Sequence, residues 1–130
     1  MSASGILLVA HGSRGNQGME LLKRIAGDMR RRLPSHAVSL ALVGDSSIRG
    51  SIHRQAALGV RRILVVPVFI SHGVHTMRDI PEELGLAPGS GGGTVKVDGA
   101  EVYIDYRPPL GEDERLIDLL EALVREGLDG

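Results

Sequence analysis

The residues best placed to do chemistry are two histidines. His11 closes the apolar run Gly5-Ile6-Leu7-Leu8-Val9-Ala10, and His75 follows Leu64-Val65-Val66-Pro67-Val68-Phe69-Ile70 by a short turn containing Gly73. In an open parallel sheet, ligands collect outside the carboxyl ends of the strands, so two imidazoles at two strand ends can face one another across one crevice. Imidazole is a borderline ligand for divalent transition metals and a base near neutral pH, which makes metal handling and proton transfer the two chemistries to test.

The neighbours of each histidine sharpen the choice. His11-Gly12-Ser13-Arg14 sits at a strand-to-helix junction. It reads either as a turn whose polar side chains cap the following helix or as an anion site built from hydroxyl, guanidinium and helix N-terminal amides. In Ser71-His72-Gly73-Val74-His75-Thr76-Met77-Arg78-Asp79, two histidines stand three residues apart, a weak metal signature taken alone. Gly73 between them points to a turn, so one of the two faces inward. His75 is that one, with Asp79 a helical turn later as its hydrogen-bond acceptor; the plainer reading of Asp79 is an exposed helix charge. His36 and His53 fall on a loop and a helix surface without evident partners.

Other chemistries lack their parts. The glycines at 89 and 91–93 do not run into Gly-Lys-Ser or Gly-Lys-Thr, and Gly12-Ser13-Arg14-Gly15 is no dinucleotide fingerprint. There is no Gly-x-Ser-x-Gly elbow and no cysteine, so neither acyl-enzyme chemistry nor thiolate metal binding has a candidate. A net charge of -1 and only three aromatic residues, Phe69, Tyr103 and Tyr106, argue against nucleic-acid binding. No apolar run reaches the roughly 18 residues of a membrane helix, and the first residues lack a secretory pattern. The expectation is a cytoplasmic protein.

At 130 residues the chain reads as a single domain over 1–130. Strand-like runs alternate with helix-like ones: strand Gly5 to Ala10, helix from Gln17 to Pro34, strand Ala37 to Val43, helix Ile48 to Leu58, strand Arg62 to Ile70, helix Thr76 to Leu84. Pro67 cannot donate a ladder hydrogen bond and belongs near its strand's end. The stretch of about 85–100, containing Gly-Ser-Gly-Gly-Gly, reads as a flexible loop. A strand at Glu101–Tyr106 and a helix at Glu112–Glu126 follow, the helix burying Leu116, Leu119, Leu120, Leu123 and Val124. Four such alternations predict an α/β fold, a four-stranded parallel sheet with helices on both faces.

Four stretches read together, His11-Gly12-Ser13-Arg14, Val66 to His75, Arg78-Asp79-Ile80-Pro81 and Pro109-Leu110-Gly111-Glu112-Asp113, resemble a known family. They look like the small single-domain sirohydrochlorin chelatases of archaea, the CbiX-type cobaltochelatases and related nickelochelatases, and the resemblance covers the chain except its Gly-rich loop. It implies a three-layer chelatase-like fold, a homodimer, and insertion of Co²⁺ and/or Ni²⁺ into sirohydrochlorin during cobalamin or nickel-tetrapyrrole biosynthesis. The metal is then a substrate and no cofactor is tightly bound. By the same resemblance His11 and His75 are the metal ligands and catalytic residues, His11 being the favoured proton acceptor. Ile70, Ser71, His72, Gly73, Val74 and His75 lie along the macrocycle, with Ser13 and Arg14 binding substrate.

The many carboxylates of sirohydrochlorin give Arg14, Arg49, Arg78 and Arg107 a role as anchors. Where many relatives carry a Glu-Pro pair after the second strand, this chain reads Gly44-Asp45-Ser46-Ser47-Ile48, which makes Asp45 the candidate replacement. Two readings compete with catalysis: a non-catalytic tetrapyrrole or metal carrier using the same crevice, and a phosphate-handling enzyme using His11 and Arg14 as nucleophile and anchor.

Overall fold

The computed structural model describes residues 4–12 and 16–130. Strand β1 (Gly5–Ala10) leads to helix α1 (Asn16–Arg32), β2 (Val38–Leu42), α2 (Ser47–Ala57) and β3 (Arg62–Pro67). A π-helical turn at His75–Asp79 runs directly into α3 (Ile80–Leu84), and β4 (Gly92–Val97), β5 (Ala100–Tyr106), a 3-10 turn at Leu110–Glu112 and α4 (Glu114–Asp129) complete the chain. The sheet has five strands in the order β2-β1-β3-β5-β4. All neighbours are parallel except β4 and β5.

The parallel part follows from the apolar runs. Leu7, Val9, Ile63, Val65, Val102 and Ile104 are all 0% exposed and share one face of the sheet, where Ile48 and Ile52 of α2 and Ile80 and Leu84 of α3 close over them. On the other face Leu8 and Val38 pack on Ala26 of α1, with Ile25, Met29 and Val66 only partly buried around them. Pro67 ends β3 as its missing N–H requires, and the chain rejoins the ladder at once through Val68 N–H donating to the Val9 carbonyl (2.8 Å).

Two expectations are corrected. The stretch read as a flexible loop contains a fifth strand, β4, paired antiparallel with β5 in the register Val97↔Ala100. Its glycines concealed a hairpin signal: Asp98 (φ 50°) and Gly99 (φ 84°) both adopt the positive φ of a type I′ turn, for which Asp-Gly is a preferred pair. Val95 and Val97 alternate with Thr94 and Lys96, and the two valines face the large core. The second correction concerns α4, which buries none of its residues. Leu119, Leu120, Leu123 and Val124 are 48–59% exposed, because the helix leaves the body at its first turn instead of lying on the sheet.

The hairpin turn generates a first prediction. Gly99→Val places a β-branched residue at φ 84° and should lower stability by about 1–2 kcal/mol in urea denaturation. A midpoint equal to that of the parent chain would remove the type I′ turn from the fold's requirements.

Candidate active site

β1 lies between β2 and β3, so the chain departs to one side after β1 and returns to the other before β3. Their adjacent carboxyl ends are the switch point where an open sheet leaves a crevice. His11 stands one residue beyond β1, and the segment 68–75 beyond β3 brings His75 back over the same edge. The two imidazole rings are 5.1 Å apart, centroid to centroid, tilted by 51°. Phe69 lies behind His75 at 6.3 Å.

The hydrogen bonds fix which nitrogen of each ring is available. His75 Nδ1 is 2.9 Å from Asp79 Oδ2, and His11 Nδ1 is 2.9 Å from the Gly12 carbonyl. A carbonyl accepts only, and so does an ionised carboxylate, so in each neutral ring Nδ1 carries the proton and Nε2 keeps its lone pair. Both Nε2 atoms are without a hydrogen-bond partner among the described residues. The side chain of His75 is 43% exposed and Asp79 29%, so the pair is half-shielded and reachable from the crevice.

His72 turns the other way, as the intervening Gly73 predicts. Its Nδ1 is 3.1 Å from Thr76 Oγ1 and its Nε2 is 3.2 Å from Glu112 Oε2. Thr76, 1% exposed, also accepts from the Gly73 amide at 2.8 Å, so one buried hydroxyl organises the start of the turn that carries His75. The segment 107–112 braces the loop from outside. Leu110 N–H donates to the Phe69 carbonyl (2.8 Å), and Gly111 lies so close that a Cβ there would stand 1.9 Å from the Ile70 carbonyl oxygen. Between loop and brace lies a cavity of about 190 Å³ lined by His72, Thr76, Tyr106 and Glu112. Ile70 and Val74, 63% and 60% exposed, project from the loop with Ser71 between them in sequence.

The remaining expected residues are dispersed. Ser13 and Arg14 lie outside the described residues. Asp45 accepts from the Ser47 amide (2.9 Å); hydrogen bonding from Ser47, side chain first and then backbone, holds its carboxyl below the usual 3.8. No hydrogen bond or ion pair links Asp45 to either histidine among the described residues. At the end of β2 a different carboxylate is present: Glu83 of α3 accepts from the Gly44 amide at 3.3 Å, its second oxygen buried without a partner among the described residues. Arg78 and Arg107 flank the loop and its brace with side chains 61% and 52% exposed, whereas Arg49 lines a separate groove with Glu82 and Lys96. His36 and His53 do find partners, the Ser4 carbonyl (2.8 Å) and Asp98 (3.0 Å).

Among the described residues no group of three or more His, Cys, Asp or Glu is arranged to hold a metal ion. Among the described residues the histidine pair thus presents two open ring nitrogens and no third ligand, an open site and not a closed four-ligand cage. No helix among the described residues is long and apolar enough to cross a membrane.

Comparison with known proteins gives a consistent result. The sequence pattern of the CbiX family matches residues 5–127. A sirohydrochlorin cobaltochelatase of Methanothermobacter thermautotrophicus is 38% identical over 136 aligned positions, covering 95% of this chain and 92% of its own. The sirohydrochlorin cobaltochelatase of Methanosarcina barkeri is 36% identical, with 95% and 96% covered. A CbiX protein of Marinobacter aquaeolei VT8, known from its crystal structure, superposes with a TM-score of 0.72 over 98% of both chains at 22% identity. That likeness bears out the chelatase-like α/β fold, with five strands where four were expected.

Tyr106 ties the brace to the loop, its hydroxyl donating to the Thr76 carbonyl at 2.7 Å. Burial pushes the phenol up to about 12 from 10.0. A raised folded-state value means that the contribution to stability is full below about pH 10 and is lost as pH climbs through about 12. Tyr106→Phe should lower stability by about 1–3 kcal/mol at neutral pH, since the Thr76 carbonyl loses its partner, and should flatten the decline above pH 10. An unchanged alkaline limb in the variant would separate Tyr106 from that decline.

Proposed function

Because the chain belongs to the CbiX family, we propose that it inserts a divalent metal ion, Co²⁺ and/or Ni²⁺, into sirohydrochlorin. The observation that carries the reading is the histidine pair, two rings 5.1 Å apart with each Nδ1 bonded to an acceptor and each Nε2 open. Insertion exchanges one hydrated M²⁺ for two pyrrole N–H protons. The site must therefore strip water from the ion, hold it weakly and accept protons in turn. His75, its ring oriented by the Asp79 carboxylate behind it, is the primary metal ligand. His11 shares the ion at first; as the pyrrole nitrogens take the ion, the freed Nε2 lone pairs accept the two displaced protons, His11 the first and His75 the second. Two imidazoles bind Co²⁺ or Ni²⁺ loosely enough for four pyrrole nitrogens to win it.

The loop around the pair supplies the macrocycle's bed. Ile70 and Val74 offer exposed apolar contacts, Ser71, His72 and Gly73 the intervening edge, and Arg78 and Arg107 stand beside it as partners for peripheral carboxylates. Ser13 and Arg14 follow His11 directly and complete the substrate set. The ion passes through as substrate, with no tightly bound cofactor. The working unit is a cytoplasmic homodimer in tetrapyrrole biosynthesis, its second copy supplying the wall that one sheet edge lacks.

Anaerobic incubation with sirohydrochlorin and Co²⁺ or Ni²⁺, followed by absorbance, should show insertion faster than without protein. An uncatalysed rate would sink the proposal, and stoichiometric binding without turnover would favour a carrier. His75→Ala should abolish most of the acceleration, and Asp79→Asn should reduce it about 10–100-fold. Gly111→Ala should preserve the far-UV CD spectrum yet slow insertion by up to about 100-fold, because its Cβ would displace the loop at Ile70.

A further inference from the structure

Among the described residues three histidines stand beside a carboxylate, and they do not use the same nitrogen. His75 and His53 each turn Nδ1 to it, at 2.9 Å from Asp79 and 3.0 Å from Asp98. His72 turns Nε2 instead, 3.2 Å from Glu112 Oε2, because its Nδ1 is already engaged with Thr76 Oγ1 at 3.1 Å. The Thr76 hydroxyl gives its hydrogen to the Gly73 carbonyl (3.3 Å) and accepts from the Gly73 amide (2.8 Å), so toward His72 it is an acceptor. Nδ1 therefore carries the ring's proton, and the Nε2 lone pair faces a carboxylate oxygen. Two such groups repel unless a cation joins them.

That cation is a proton or a metal ion, and the spacing separates the two. A charge-assisted N–H···O bond contracts to about 2.7–2.9 Å. Two ligands each about 2.1 Å from one divalent ion stand about 3.0 Å apart at an octahedral angle and about 3.4 Å apart at a tetrahedral one. The observed 3.2 Å falls between these last two values. The cavity of about 190 Å³ opens beside the pair, bounded also by Thr76, Met77, Ser90 and Tyr106. A water takes up about 30 Å³, so solvent has room to fill the other coordination positions of an ion. Arg107, which lines the same cavity, is offset by its pairing with Asp105 at 3.4 Å. His53 and Asp98 offer no such setting: their side chains are 54% and 80% exposed, and no second bond fixes that ring among the described residues.

We propose that His72 Nε2 and the Glu112 carboxylate bind a divalent first-row transition ion, with water completing its coordination, at a second site behind the loop that carries His75. One imidazole with one carboxylate favours Co²⁺, Ni²⁺ or Zn²⁺ over Mg²⁺ and Ca²⁺, which take oxygen ligands. Thr76 supplies the acceptor that fixes the tautomer of a ligating histidine, and at 1% exposure it is itself immobile. The site joins two segments: His72 lies on the loop, and Glu112 ends the 3-10 turn of the brace. An ion between them ties loop to brace, so the supply of metal sets how firmly the loop is held. That regulatory link rests on the proposed function; the binding itself does not.

The test removes the first histidine pair and titrates what is left with the metal alone. A chain carrying His11→Ala and His75→Ala, shown by far-UV CD to be folded, should still bind one Ni²⁺ or Co²⁺ per chain by calorimetry and gain thermal stability from it. Adding Glu112→Gln or His72→Ala should weaken that binding by at least about tenfold and abolish the stabilisation, whereas adding His53→Ala should change neither. If the double variant does not fold, the otherwise unaltered chain decides, since Glu112→Gln should there remove one binding event and leave the rest. No binding at millimolar Ni²⁺ and Co²⁺ overturns the site, and so does binding that Glu112→Gln and His72→Ala leave unchanged. A chain that binds the ion as described but inserts none into sirohydrochlorin keeps this site and loses the chelatase reading. One that inserts metal without this binding loses the second site alone.

Discussion

The parallel ladder between β1 and β3 runs in register from Gly5↔Ile63 to Val9↔Pro67, and the two chains stay bonded one step further through Val68 N–H and the Val9 carbonyl. Everything that could act on a ligand hangs from that last step. His11 follows two residues after Val9, and the loop carrying His75 begins at Val68, so a single register brings two imidazoles separated by more than sixty residues to within 5.1 Å. A shift of one residue would turn the side chains of β3 to the opposite face and exchange its buried set, Ile63 and Val65, for Leu64 and Val66. The fully buried core on one face is thus also what holds the site in alignment.

Beyond the sheet, the imidazoles are set by short local bonds. His75 gains its acceptor from the spacing of the π-helical turn, since Asp79 lies four residues on, and His11 uses the carbonyl of the next residue. A ring fixed in this way presents one nitrogen without paying rotational freedom on binding. The loop needs more support because it is largely exposed. Thr76 holds it from below, and residues 107–112 hold it from the side, so its shape depends on a contact between chain segments about forty residues apart.

How much of this the sequence disclosed follows from the range of each interaction. The β1 and β3 runs, the second helix and the His75–Asp79 pairing were legible because they depend on hydrophobic pattern and i, i+4 spacing. β4 was obscured by glycine composition although Asp98-Gly99 marked its turn. Glu112 and Glu83 carried no local signal, since each acts on a residue distant in sequence, His72 and Gly44 respectively. Asp45, chosen by its position after β2, is occupied by Ser47 two residues later, a short-range Asx turn that competes with any longer reach.

The fate of α4 exposes a more general limit. An amphipathic pattern states that a face must be covered and is silent on which surface covers it. The sheet here is covered unequally: α2 and α3 close one face over a large core, while α1 alone serves the other and joins only a small cluster. In a doubly wound fold the helix after β5 would restore the balance. Its root instead turns away through Pro108, Pro109 and the 3-10 turn, for these same residues are engaged in bracing the loop that carries His75. Packing on the sheet and support of the site therefore make opposing demands on one short connection. In this chain the connection serves the site, and the uncovered face and the uncovered helix are the two halves of that choice.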